Sequence, residues 1–139
     1  MISNTHELQA EVRGYELDSQ GIVNNAYYFN YFDHARIKFL LAQEIDWDKW
    51  SQDGYNIVLL RSEIDFKSSL KAHDLFTIIT SVEPQGKLRI VFKQQIINGQ
   101  SGKLVASAIN TAVCVNKSTE KPCMPSELQE KLFPSTIKQ

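Results

Sequence analysis

Alternation opens this chain. Leu8, Ala10 and Val12 fall on one side and Gln9, Glu11 and Arg13 on the other, so residues 7–15 read as a half-buried strand. The period then changes. Tyr28, Phe32, Ala35 and Phe39 recur at steps of three and four and share one helical face. Phe29 and Leu40 widen that face on one side and Tyr31 extends it on the other. The helix begins where Asn24 or Asn25 can offer a capping oxygen, and it runs to about Gln43. Residues 44–54 carry Trp47 and Trp50 among charges, which predicts a short helix or turn over the core, closed by Gly54.

Residues 56–66 alternate again, with Val58, Leu60, Ile64 and Phe66 on one side and Arg61, Glu63 and Asp65 on a wet side. A loop over residues 68–74 leads to a β-branched strand over 75–82. Residues 83–87 form a turn punctuated by Pro84 and Gly86. Two further strands, 88–97 and 104–115, are joined by the turn 98–103. The last strand is apolar or small on both faces, which suits a central place in the sheet. Pro125 opens a short C-terminal helix over 126–132. The order predicts one α+β domain over residues 1–139, an antiparallel five-stranded sheet wrapped around one long apolar helix.

Composition narrows the function. Of 139 residues, 42% are hydrophobic and 22% charged, and the net charge is -1, so no global field draws the chain to nucleic acid. Met1 to Leu8 is polar and lacks the apolar core of a signal peptide. No apolar run nears the ~20 residues that would span a bilayer, so no membrane insertion is expected. Two cysteines, Cys114 and Cys123, make no disulfide framework, and Cys114 in a strand reads as packed and inert. The expected setting is cytoplasmic. His6, His34 and His73 are scattered, so no metal site is expected. Ser62, Ser68 and Ser69 lack a nucleophile-elbow motif.

The candidate chemistry lies between the first strand and the long helix. Gly21 permits a backbone turn, and Asp18 stands a few residues before a helix start whose backbone N–H groups are free and whose dipole is positive. An isolated aspartate in such a loop is, taken alone, more often a turn or capping residue than a catalyst.

The run from Glu16 to Arg36 reverses that preference through its resemblance to a family. Glu16, Asp18, Gly21, Val23, Asn25, Tyr28, Tyr31, Asp33, Ala35 and Arg36 fill, in register, the pattern of the 4-hydroxybenzoyl-CoA thioesterase family of hotdog-fold acyl-CoA thioesterases. The resemblance continues through Arg61 to Phe66. The chain departs from the family at Glu16, where the first acid is usually Asp, and at Ile22, where many members carry His. It departs again at Ser69 to Asp74, where Pro-x-x-x-Gly-Asp is common.

The resemblance implies a hotdog fold and hydrolysis of a small or medium acyl- or aroyl-CoA. It implies Asp18 as nucleophile or general base and the backbone N–H of Asn25 as oxyanion donor. Gly21, Ile22, Val23 and Tyr28 are implied to line the substrate. Asp33 either pairs with Arg36 on the helix or faces the acyl group. Lys67, Lys71, Lys87 and Arg89 are candidates for the coenzyme A phosphates by charge alone. No cofactor is implied beyond coenzyme A, which is part of the substrate. An acyl carrier protein is the alternative carrier, and a non-catalytic hotdog binding protein is the reading from another class. Hotdog subunits pair into a continuous sheet with active sites at subunit boundaries, so a homodimer or homotetramer is expected. Asn56 to Leu60 and the first turn of the helix are the surfaces expected to be covered.

Overall fold

The computed structural model describes residues 5–134. Strand β1 (Thr5–Glu11) leads through a 3-10 turn (Gly14–Glu16) to helix α1 (Asn25–Ala42) and helix α2 (Trp47–Gln52). Strands β2 (Tyr55–Phe66), β3 (Leu75–Gln85), β4 (Arg89–Asn98), β5 (Leu104–Asn116) and β6 (Lys121–Cys123) follow, and helix α3 (Ser126–Leu132) closes the order. The expected N-terminal features before Thr5 lie outside the described residues.

The sheet runs β1-β3-β4-β5-β2, antiparallel throughout, and β6 pairs with the end of β5. β1 and β2 are neighbours in sequence yet occupy opposite edges. The segment between them must therefore cross the sheet, and α1 is that crossing. Five long strands around one helix match the expected architecture. β6 is a sixth, three-residue strand that the sequence pattern did not reveal, because it is too short to carry a period.

The helix face is buried as its spacing predicted, with Tyr28, Phe32, Ala35, Phe39 and Leu40 all inaccessible. Phe29 differs: it is 44% exposed, so it does not join that face. In β2 the expected alternation breaks at Leu60, an extra residue between the pairs Leu59–Ala112 and Arg61–Thr111. This bulge reverses the strand's facing. Ile57 packs against one core cluster before it and Ile64 against the other after it, while Phe66, half-exposed, keeps an edge contact with the Tyr28 ring. Val58 and Leu60 remain exposed on the edge strand.

The core is divided in two. Tyr28, Tyr31, Phe32, Phe76, Ile78 and Ile96 anchor one cluster; Phe39, Leu40, Trp50, Ile90, Phe92 and Leu128 anchor the other. Between them a belt of buried polar side chains crosses under α1, centred on Gln94. Its Nε2 donates to the Phe32 carbonyl and to Thr80 Oγ1, both at 3.0 Å. Its Oε1 accepts from Arg36 Nη1 at 3.1 Å and from Asn110 Nδ2 at 2.8 Å. Ser62 on β2 then donates to Asn110 Oδ1. All four hydrogen-bonding positions of the Gln94 amide are filled, which is what a buried amide requires.

Candidate active site

After β1 the chain turns through Gly14–Glu16 and folds into a small hairpin in which Leu17 and Val23 pair across. Asp18 donates its N–H to the Ile22 carbonyl at 2.8 Å, and Gly21 donates to the Asp18 carbonyl at 3.1 Å. Gly21 has φ +79, the left-handed region where a side chain is strained, so glycine closes this turn. The hairpin is tied to the rest of the fold at its far side. Val23 donates to the Leu70 carbonyl at 2.9 Å, and Ile22 pairs with Lys71. Leu70 in turn donates its N–H to the Tyr28 hydroxyl at 3.2 Å.

Asp18 is half-buried in this hairpin. Its Oδ1 accepts from the Gln20 N–H at 2.8 Å and, more loosely, from the Ile22 N–H at 3.4 Å. Among the described residues its Oδ2 has no partner. The turn therefore occupies one oxygen of the carboxylate and does not need the other.

At the helix start the cap is Asn24, whose side chain accepts from the Ala26 N–H at 3.0 Å. Asn25 is the first helical residue, and among the described residues its N–H donates to nothing. That free donor sits at the positive end of an 18-residue helix dipole. Since Asn24 holds the cap, Asn25→Ala is expected to leave stability within about 0.5 kcal/mol, whereas Asn24→Ala costs ~1 kcal/mol. Urea unfolding of the two variants checks this assignment, and equal losses would overturn it.

Glu16, at 4% exposure, is the most buried carboxylate near the site. It accepts from the Tyr31 hydroxyl at 2.7 Å and from the Arg13 N–H at 2.8 Å, and its own carbonyl accepts from the Asn24 N–H at 2.9 Å. Burial, and then the bond to Glu16, push the Tyr31 hydroxyl far above its usual range. Burial likewise raises Tyr28. The spacing of apolar residues placed Tyr31 on the helix face, but nothing local in the sequence signals its bond to a residue fifteen positions earlier.

The other expected site residues separate into two groups. Gly21, Ile22, Val23 and Tyr28 all belong to the hairpin or to the helix turn that holds it. Lys71 stands opposite Ile22, and Lys67 follows β2 at the same end of the sheet, where its N–H donates to the Val105 carbonyl at 2.8 Å. Lys87 and Arg89 flank the β3–β4 turn at the other end, where Arg89 pairs with Gln85 and Val113. The structure does not bring those two to Asp18, because antiparallel strands send successive turns to opposite ends of the sheet. Asp33 lies two turns along α1, mostly exposed, and its Oδ1 pairs with the buried Arg36 at 3.3 Å. Burial lowers the Arg36 guanidinium. Cys114 and Cys123 are free thiols facing each other across β5 and β6, and burial pushes Cys114 up to about 12, so it stays protonated at neutral pH.

The chain is similar to known thioesterases. The chain is 32% identical over 129 residues to the long-chain acyl-CoA thioesterase FadM of Escherichia coli, covering 91% of this chain and 96% of FadM. It is 30% identical over 130 residues to the chloroplastic acyl-acyl carrier protein thioesterase ATL3 of Arabidopsis thaliana, covering 94% of this chain and 68% of that one. Among solved structures, Slr0204, a 1,4-dihydroxy-2-naphthoyl-CoA thioesterase from Synechocystis, superposes with a TM-score of 0.87. At 18% identity over 97% of this chain and 98% of that one, this likeness concerns the fold. The sequence model of the Thioesterase-like superfamily matches residues 12–132, from the end of β1 to the end of α3. With that match running through both the hairpin and the helix start, the chain belongs to the thioesterase-like superfamily and is a hotdog-fold thioester hydrolase.

Proposed function

We propose that this protein hydrolyses acyl-CoA thioesters at the junction of the Asp18 hairpin and the start of α1. The observation that carries this reading is that Oδ2 of Asp18 and the N–H of Asn25 both lack partners among the described residues, on a hairpin and a helix fastened to one another. The thioester carbonyl lies against the Asn25 N–H, which stabilises the oxyanion as it forms; one such donor is worth about 3 kcal/mol. Asp18 Oδ2 either takes the proton of an attacking water or attacks the carbonyl carbon itself. In both routes the tetrahedral intermediate collapses with loss of the coenzyme A thiolate, which is then protonated. Rapid-quench trapping of a single turnover separates them: an acyl group covalently held on Asp18 forms only in the nucleophilic route, and water attack on that aspartyl anhydride then releases the acid.

Gly21, Ile22, Val23 and Tyr28 form the wall around the thioester in this reading, and Lys67 and Lys71 are the cations at the same end of the sheet for the coenzyme A phosphates. If the donor is the main-chain N–H of Asn25, then Asn25→Ala keeps kcat within about threefold of the parent. A loss as deep as that of an Asp18 variant, with folding intact, would transfer the role to the side chain. Thiol release across acyl-CoAs from acetyl to long-chain and aromatic tests the function and ranks the acyl groups. A second carrier has one specific observation in its favour, the similarity to an acyl-acyl carrier protein thioesterase. Matched thioesters of coenzyme A and acyl carrier protein decide between the two carriers.

The working unit in this reading is at least a homodimer. β2 is an edge strand, and its Val58, Leu59 and Leu60 are exposed apolar residues on an open hydrogen-bonding edge. On α1, Phe29, Ile37 and Leu41 form an exposed stripe at steps of eight and four. A second copy pairing along β2 covers both. Sedimentation at assay concentration is expected to give at least twice the chain mass of 15.9 kDa; a fully active monomer would overturn the assembly.

A further inference from the structure

Glu16 stands two residues ahead of Asp18 and ties its own turn to helix α1 at two points. Its Oε1 accepts from Arg13 just past the end of β1 and from the Tyr31 hydroxyl in the second turn of α1. Its carbonyl accepts from Asn24, the cap of α1. Tyr31 cannot follow a drifting carboxylate, because its ring is held between Tyr28 and Phe76, with centroids 5.9 and 4.8 Å away.

Asp18 and the Asn25 N–H sit on different elements, yet in the proposed reaction they meet at one carbonyl. The hairpin's internal bonds fix its shape but not its distance from the helix. Two links fix that distance: the bonds from Val23 to Leu70 and from Leu70 to Tyr28 on the far side, and Glu16 on the near side. A carboxylate this deeply buried is unfavourable unless its bonds offset the lost hydration. Here both side-chain bonds converge on a single oxygen, an arrangement that a neutral amide oxygen can supply equally well.

We propose that Glu16, bridged by Tyr31, is a positioning residue for the reaction. It sets where Asp18 stands relative to the helix start, and it does so through hydrogen-bond geometry rather than charge. This rests on the reading of Asp18 as the reacting group. A displacement of about 1 Å at such a site costs on the order of 100-fold in rate.

The test is thiol release from the acyl-CoA that the parent enzyme turns over fastest, measured for Glu16→Ala, Glu16→Gln, Tyr31→Phe and Asp18→Asn. Glu16→Ala is expected to lower kcat roughly 30- to 300-fold with KM within about threefold. Glu16→Gln keeps the accepting oxygen, so kcat returns to within about threefold and the pH–rate profile superimposes on the parent's. Tyr31→Phe removes only the hydroxyl and lowers kcat about five- to tenfold at constant KM. Parent-like kcat in Glu16→Ala or in folded Tyr31→Phe overturns the proposal. So does Glu16→Gln as slow as Glu16→Ala, or a displaced pH profile, since either means that the charge acts. If Glu16→Ala does not fold by circular dichroism, the other two variants decide. Asp18→Asn keeps the failures apart: an active Asp18→Asn sinks the reading of the site. An inactive one beside fully active Glu16→Ala and Tyr31→Phe sinks only the positioning role.

Discussion

Replacing Asp18 by asparagine is expected to lower kcat by roughly two to four orders of magnitude while the fold and KM stay close to the parent's. The substitution is clean because of how the carboxylate is used. The amide oxygen of asparagine can take over from Oδ1 and accept from the Gln20 and Ile22 N–H groups, so the turn survives. What disappears is the basicity and nucleophilicity of the second oxygen, which holds no turn in place. Asp18→Ala, by contrast, also removes the turn's acceptor and confuses chemistry with folding. The measurement is kcat and KM for thiol release, with a urea unfolding curve of the same preparation. More than about a tenth of the parent activity in a folded Asp18→Asn protein would require another catalyst.

Gln94→Leu is expected to lower stability by about 3–5 kcal/mol, the largest loss expected for a change away from the site. Leucine has nearly the right shape, so the transition will report on the lost amide rather than on a cavity. Gln94 is 1% exposed and satisfies Arg36, Asn110, Thr80 and the Phe32 carbonyl at once. Without it those groups stay buried with unmet bonds, and Arg36 keeps only its link to exposed Asp33. For a domain of this size the midpoint of thermal unfolding falls by roughly 10 °C or more. A loss below about 1 kcal/mol in urea would mean that the belt rearranges or takes in water, and that it does not organise the core.

The two predictions differ in how visible their residues are in the sequence. Asp18 stands in a run of closely spaced motif residues, and its place before a capped helix with Gly21 between is a local relation. Gln94 carries no such sign. In β4 it is one polar residue in an alternating strand, and its partners come from α1, β3 and β5, between fourteen and sixty-two positions away. Glu16 is intermediate: its motif position is legible, but its bond to Tyr31 depends on how the hairpin lies on the helix.

The sequence by itself determined the order of the five long strands and the long helix, most of the buried face of α1, the interior place of β5 and the local character of the Asp18 turn. Those follow from periods of two and 3.6 and from glycine and cap chemistry, which act over a few residues. Only the tertiary structure decided that Leu60 is a bulge, that Phe29 is left uncovered and that Lys87 and Arg89 lie away from the hairpin. It alone showed that Asp18 leaves one oxygen without a partner among the described residues, that Asn24 rather than Asn25 is the cap, and that a polar belt parts the core. Each of these depends on strand register or on which atoms of distant segments meet. A local pattern states which way a side chain faces, but the partner it meets is set when the chain crosses the sheet and brings β1 and β2 to opposite edges.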